Sequence, residues 1–163
     1  QFHAGAERAK GEVLFFVHAD SVLPPSARST IITAWARAGA VAGSFSLAFD
    51  RKHWLLDALA GLSRINHALT TYGDQGLFVW RETYHAIGGY RPMPILEDLE
   101  IQHRLRRAGR FVKPPHAITT SSRRYVRDGI VRRQIANSWI VARYLAGASP
   151  SRLARGYQPE PEG

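Results

Sequence analysis

The sequence predicts an α/β domain built on a largely parallel sheet flanked by helices. Three observations carry that expectation. Short apolar runs of strand length alternate with longer stretches whose apolar residues recur every three or four positions. Gly and Pro stand at the changeovers. No internal repeat or low-complexity segment interrupts the alternation.

Residues 4–10 read as the end of a helix stopped by Gly11. The run EVLFFV at 12–17 has the continuous apolar pattern of a strand buried on both faces. Pro24 and Pro25 introduce a helix, because proline fits the first turn, and Ile31, Ala34, Trp35 and Ala38 share one face of it. Residues 40–49 read as a strand with Phe45, Leu47 and Phe49 alternating. Residues 54–69 read as a helix with Leu55, Leu59, Leu62 and Ile65 on one stripe. Gly73-Asp74-Gln75-Gly76 is a turn feeding a short strand at 77–80. A small helix (82–87), the breaker Gly88-Gly89 and a proline-bearing loop at 91–94 come next. Residues 97–108 are predicted helical, with Ile101, Leu105 and Ala108 apolar and Gly109 ending the helix. Phe111-Val112 and Ala117-Ile118-Thr119 are short strand candidates around Pro114-Pro115. A last long helix is expected from Asp128, as its cap, to near Gly147, and Ser149-Pro150 opens one more turn. Residues 1–157 thus read as one domain, and 158–163 as a disordered Pro/Glu/Gly tail.

The 163 residues hold 22 Lys+Arg against 13 Asp+Glu, a formal charge of +9. With 45% hydrophobic and 21% charged residues the composition is that of a globular chain. The absence of cysteine excludes a disulfide framework, a thiolate metal site and a cysteine nucleophile. No apolar run approaches the ~18 to 20 residues of a membrane-spanning helix. The charge surplus leaves three partners: nucleic acid, an anionic membrane surface, or a phosphate-bearing small molecule.

Four segments have the composition of a site. Ligands of open α/β sheets bind beyond the carboxyl ends of strands, which singles out His18-Ala19-Asp20 after EVLFFV. Residues two apart on an extended segment point the same way, so imidazole and carboxylate project together and suit a hard divalent cation. A helix cap at Asp20 or Ser21 beside a packed strand-end histidine describes the same residues. Glu97-Asp98 opens a helix, where adjacent side chains diverge by about 100°. One carboxylate then faces a cleft as a general base while the other makes structural hydrogen bonds. Acidic residues also favour first helical turns for stability alone. In Gly73-Asp74-Gln75-Gly76 the glycines admit close backbone approach, and Asp74 and Gln75 offer groups for sugar-like hydroxyls, or the segment is only a turn. Ser121-Ser122-Arg123-Arg124-Tyr125 suits a diphosphate, through bidentate guanidinium contacts, or is a solvated basic surface.

In order, these segments together with Leu77-Phe78-Val79, Gly88-Gly89-Tyr90, Leu99-Glu100 and Arg104-Leu105 resemble the family-2 glycosyltransferases of GT-A fold. The likeness is greatest to a bacterial branch whose metal motif reads His-Ala-Asp. It covers residues 4 to about 157. The resemblance implies a GT-A-like mixed, largely parallel sheet and an inverting transfer of a sugar from a nucleotide diphosphate to an acceptor hydroxyl, with Mg²⁺ or Mn²⁺. It implies that Asp20 binds the metal, with His18 where most members have the first Asp. It implies Asp98 as catalytic base beside Glu97, and Gly73, Asp74, Gln75 and Gly76 along the donor sugar and acceptor. Arg123, Arg124 and Tyr125 fall near the Gln-x-x-Arg-Trp motif of processive members, which is absent here. That absence speaks against a processive polysaccharide synthase.

The family's opening strand and the acidic residue of its second strand have no counterpart in this chain. Gln1 to Ala6 resembles the helix that follows them. The expectation is a domain truncated at the N-terminus, with an open sheet edge through which copies self-associate. A cytoplasmic enzyme is expected, peripheral on the inner membrane face. The helix expected from Asp128 mixes Arg132, Arg133 and Arg143 with Ile130, Ile135, Trp139, Ile140 and Leu145, which suits contact with a membrane and an acceptor carried on a lipid. It equally suits packing on the core. Nucleic acid is the disfavoured partner. Phe2, Trp35, Trp54, Tyr72, Trp80 and Trp139 mostly fall at core spacing instead of interleaving with the arginines.

Overall fold

A computed structural model describes residues 2–155. Along the chain run α1 (Phe2–Arg8), β1 (Val13–Phe16), β2 (Ser21–Val22), α2 (Ala27–Ala38), β3 (Ala42–Ser44), β4 (Ser46–Phe49) and α3 (Trp54–Ser63). Two 3-10 turns, Ala68–Thr70 and Gly73–Gln75, lead to β5 (Leu77–Trp80) and α4 (Arg81–Ala86). Then come α5 (Glu97–Ala108), β6 (Phe111–Val112), β7 (Ala117–Thr120), α6 (Arg123–Asp128), α7 (Ile130–Leu145) and α8 (Pro150–Ala154). The expected mixture of strands and helices is present. The tail at 158–163 lies outside the described residues.

The largely parallel sheet is not what forms. The strands make two mixed sheets, ordered β1-β5-β3-β6 and β2-β7-β4. Pairs β1–β5, β3–β5 and β2–β7 are antiparallel, while β3–β6 and β4–β7 are parallel. The reason lies after α3. A parallel crossover needs a connection that carries the chain back to the strand's starting end. Here β5 begins at the carboxyl end of β3, with Leu77 opposite Ser44, and so runs backwards between β3 and β1.

The expected strand at 40–49 breaks at Phe45, where the chain leaves one sheet for the other. Phe45 is fully buried against Phe15 and Phe78, and its N–H donates to the Gln75 carbonyl at 3.1 Å. EVLFFV packs against a core on each face, but it is buried on one face only: Leu14 and Phe16 are buried, Val13, Phe15 and Val17 half-buried, and Glu12 exposed. Leu14 and Phe16 join Ala6, Val79, Tyr84, Ile101 and Leu105 in one core. Val13 and Phe15 pack against the second, built on Ile31, Trp35, Phe45, Phe78 and Ile118.

Three helix expectations are corrected. α3 stops at Ser63, whose hydroxyl donates to the Ala60 carbonyl and accepts from Leu47 N–H, both at 2.7 Å. Ile65 therefore falls beyond the helix, and Leu56, not the expected stripe, is its fully buried residue. Asp128 does not cap the long helix but ends α6, bonded to Arg127 at 2.8 Å and Arg133 at 3.1 Å. Gly129, at φ +81°, makes the break before α7, a conformation that glycine adopts without a side-chain clash. The aromatics expected at core spacing divide: Trp35 is buried and stacks on Trp80 at 4.6 Å, while Trp54 and Trp139 are exposed.

Candidate functional site

Strand register assembles the site. Antiparallel pairing sets Phe16 opposite Leu77, so the residues after β1 meet those before β5. That brings His18-Ala19-Asp20 beside the turn at 73–76. Likewise Ser21 pairs with Thr120, so Asp20 adjoins the segment that opens with Ser121. The result is one cleft of about 1660 Å³. Its walls hold His18, Asp20, Gly73, Asp74, Gln75, Glu97, Asp98, Arg123, Arg124 and Tyr125, ten of the eleven residues expected in the site. Gly76 is the exception. It is buried at φ +64°, and a Cβ there would come within 2.6 Å of Ile118 Cδ1 and 3.0 Å of Phe15 Cε2, so its part is to let the turn close against the core.

Asp98 is fixed from two sides. Its Oδ2 accepts from Gly73 N–H at 2.7 Å and its Oδ1 from Leu99 N–H at 2.8 Å. A Cβ on Gly73 would stand 3.2 Å from His18 Nε2 and 3.4 Å from Asp98 Oδ2, so imidazole and carboxylate face the same small space. Both acidic side chains of the Glu97-Asp98 pair line the cleft, where the sequence predicted that only one would. Leu96, with φ +65°, is the one non-glycine residue in the left-handed region among the described residues, and it turns the chain into α5 just before this pair.

Asp74 is held in an unfavourable electrostatic setting. Its Oδ1 is buried without a hydrogen-bond partner. Burial, reinforced by Asp98 and Asp20, pushes its carboxyl up to about 7. Burial, then Asp98 and Asp74, raises the Tyr72 hydroxyl, and burial with Asp98 and Glu97 raises that of Tyr90. Burial raises Tyr125 to about 12. Tyr125 sits edge-on to Phe49 at 5.6 Å. At the far rim, Asp50 Oδ1 accepts from Ser122 N–H at 2.8 Å and anchors the start of α6, which carries Arg123 and Arg124.

Two supports were not foreseen. Lys113 donates to the Ser63 carbonyl and to Gln75 Oε1, while Gln75 Nε2 donates to the Thr70 carbonyl at 2.9 Å. Gln75 is thereby spent on holding its turn. Burial, followed by Arg106, brings the Lys113 ammonium down to about 7 against the pull of Asp74. Its residue type is the signal available beforehand. The chain has three lysines against nineteen arginines, and lysine is the base that tolerates burial by giving up its proton. Arg104 is the second support. Its guanidinium holds Glu100 at 2.5 to 3.0 Å and donates to the carbonyls of Ile87 at 2.5 Å and Gly89 at 2.7 Å. This fork fixes the breaker Gly88-Gly89 and aims Tyr90 into the cleft.

The expected divalent cation meets a particular donor set. Among the described residues, no three His, Asp or Glu side chains gather closely enough to hold an ion by themselves. Asp20 is exposed at the cleft wall as a single carboxylate. That fits Mg²⁺, which binds through one or two carboxylates with the rest of its shell from water and substrate phosphates. No family model, curated protein or solved structure matches the chain. The fold and site define a mixed α/β protein with an acidic cleft rimmed by arginines.

Proposed function

We propose that this cleft binds a nucleotide-diphosphate sugar and that the chain forms the acceptor-side part of an inverting glycosyltransferase. The observation that carries the reading is the convergence of an exposed Asp20, the Asp98–Gly73 pair and the Arg123-Arg124-Tyr125 rim on one cavity. These are the groups that a sugar diphosphate and a hydroxyl nucleophile require.

In the proposed reaction the acceptor oxygen attacks the anomeric carbon as the bond from that carbon to the diphosphate oxygen breaks. The acceptor's proton passes to Asp98. Each carboxylate oxygen of Asp98 accepts one backbone N–H and has a further lone pair for a proton. The two backbone donors hold the carboxylate still, so the proton acceptor is in place before the acceptor arrives. Arg123 and Arg124 stabilise the charge that develops on the departing diphosphate. Asp20 is the residue that would hold a divalent cation, which when bound supplies further charge neutralisation at the phosphates. Asp74, with its carboxyl up to about 7, enters neutral in weakly acidic solution and can then donate as well as accept at sugar hydroxyls.

The test is a melting-temperature scan against nucleotide sugars, with Mn²⁺ and with chelator. A metal-dependent rise for one nucleotide supports the reading. Asp98→Asn should retain that rise and lose transfer by at least ~10²-fold. No rise for any nucleotide sugar, from this chain and from any longer chain containing it, would overturn the proposal.

A further inference from the structure

The chain's charge is not spread evenly. Residues 123–155 contain eight arginines and one aspartate, +7 of the total +9. Within this arm α7 has no acidic residue at all, and none of its sixteen residues is fully buried. Its inward side is committed: Arg133, Gln134, Asn137, Ile140 and Val141 line the cleft. The outward side is a different surface. Val131, Ile135 and Trp139 recur at every fourth residue, the two larger ones each 64% exposed, and Ala142 continues the line. At about 100° per residue, Arg132 and Arg143 fall together along one border of that stripe, and both are exposed.

We propose that α7 lies flat on an anionic lipid bilayer, with Val131, Ile135 and Trp139 in the headgroup–acyl boundary and Arg132 and Arg143 on lipid phosphates. An apolar stripe with one tryptophan, bordered by arginine and free of acid, is the composition of an interfacial helix. Charge complementarity selects this occupant. A second copy would set two strongly basic arms against each other. A nucleic-acid backbone would leave the apolar stripe facing phosphates. No helix among the described residues is long and apolar enough to cross a membrane, so the contact is parallel to the surface. The proposal stands independently of the glycosyl-transfer reading. Where both hold, the cleft wall formed by α7 rests at the lipid surface.

Co-sedimentation of the chain with phosphatidylcholine vesicles, with and without about 30% phosphatidylglycerol, tests it. The expected result is binding to the anionic vesicles that weakens as salt rises from about 0.1 to 1 M. Arg132→Gln with Arg143→Gln should weaken it ~25-fold, about fivefold per arginine. Ile135→Ser with Trp139→Ser should weaken it at least ~tenfold. Brominated lipid should quench the fluorescence of the parent chain more than that of Trp139→Phe, a readout that needs no disruptive variant. Absence of binding to anionic vesicles overturns the proposal, as does binding that the Ile135/Trp139 pair does not affect. Two further outcomes also overturn it: a dimer dissolved by that pair with no vesicle binding, and a duplex oligonucleotide that outcompetes the vesicles for this arm.

Discussion

Arg104→Met isolates what holds the cleft's Gly88–Leu96 wall. Arg104 and Glu100 have side chains only 14% and 13% exposed, and their ion pair closes at 2.5 Å. Removing the guanidinium leaves the Ile87 and Gly89 carbonyls without their side-chain donors and the Glu100 carboxylate half-desolvated. Losing one partner of such a buried pair costs ~3–5 kcal/mol. Arg91 still reaches Glu100 Oε1 at 3.1 Å from a solvent-exposed position, which places the cost at the lower end, ~3 kcal/mol. Lysine at 104 satisfies the charge but not the fork geometry, so Arg104→Lys should cost ~1–2 kcal/mol. Urea unfolding of Arg104→Met, Arg104→Lys, Glu100→Gln and Arg104→Met/Glu100→Gln gives the comparison. The double variant should recover ~1 kcal/mol or more relative to the sum of its singles. A loss below ~1 kcal/mol for Arg104→Met, or strict additivity in the cycle, would refute the argument that the fork is structural.

Stability should pass through a minimum near neutrality. The Asp74 carboxyl, ordinarily near 3.8, titrates at about 7 when folded, so the folded state keeps a proton that the unfolded chain has lost, and stability falls as pH rises between those values. Lys113, ordinarily near 10.5, titrates at about 7 when folded, so stability rises from there toward 10.5. Thermal melts across pH 4 to 10 should show Asp74→Asn flattening the acidic limb and Lys113→Met the alkaline limb. Each effect should be on the order of 2 kcal/mol, after discounting for partial solvent access; a pH-independent difference from the parent contradicts the assignment. Gly73→Ala tests the gap between His18 and Asp98. Its methyl would sit 3.2 to 3.4 Å from both side chains, so melting alone should cost less than ~1 kcal/mol while the nucleotide-sugar shift disappears. A variant that keeps the full ligand shift shows that the gap is not where ligand binds.

What the sequence disclosed follows from what its patterns encode. The turn at 73–76, β5 and α5 fall where glycine, a short apolar run and a heptad-like spacing put them, because these signals are local. Strand direction is not local: EVLFFV shows that its strand packs against a core on each face, but nothing in it distinguishes a parallel neighbour from the antiparallel β5. Asp128 misled because a short acidic residue before an apolar stretch signals a cap, whereas Gly129 at positive φ lets two helices meet there. Ten of the eleven expected site residues share one cleft because three of the motifs adjoin strand ends and Glu97-Asp98 opens α5, where the Asp98–Gly73 bond ties it to the turn before β5. The Gly73–Asp98 bond, the Lys113–Gln75 bond and the bonds from Arg104 to the Ile87 and Gly89 carbonyls join residues 15 to 38 positions apart, and no spacing rule predicts such contacts.

The two-sheet arrangement also bears on how the chain reaches its native state. Among the described residues, no strand pairs with its neighbour in sequence. β3–β5 is the most local ladder, while β1–β5 and β4–β7 each join residues more than sixty positions apart. The described residues contain no hairpin to zip up within microseconds, so loop-closure entropy must be met before any of these ladders is rewarded. Helices such as α5 and α7 can form early, and the sheets register only after long-range collapse. Refolding should therefore be slow for a chain of this size, on the millisecond-to-second scale of proteins rich in non-local contacts. Its transient species would expose the VLFF strand before β5 arrives, which makes low protein concentration during refolding a physical requirement of this topology.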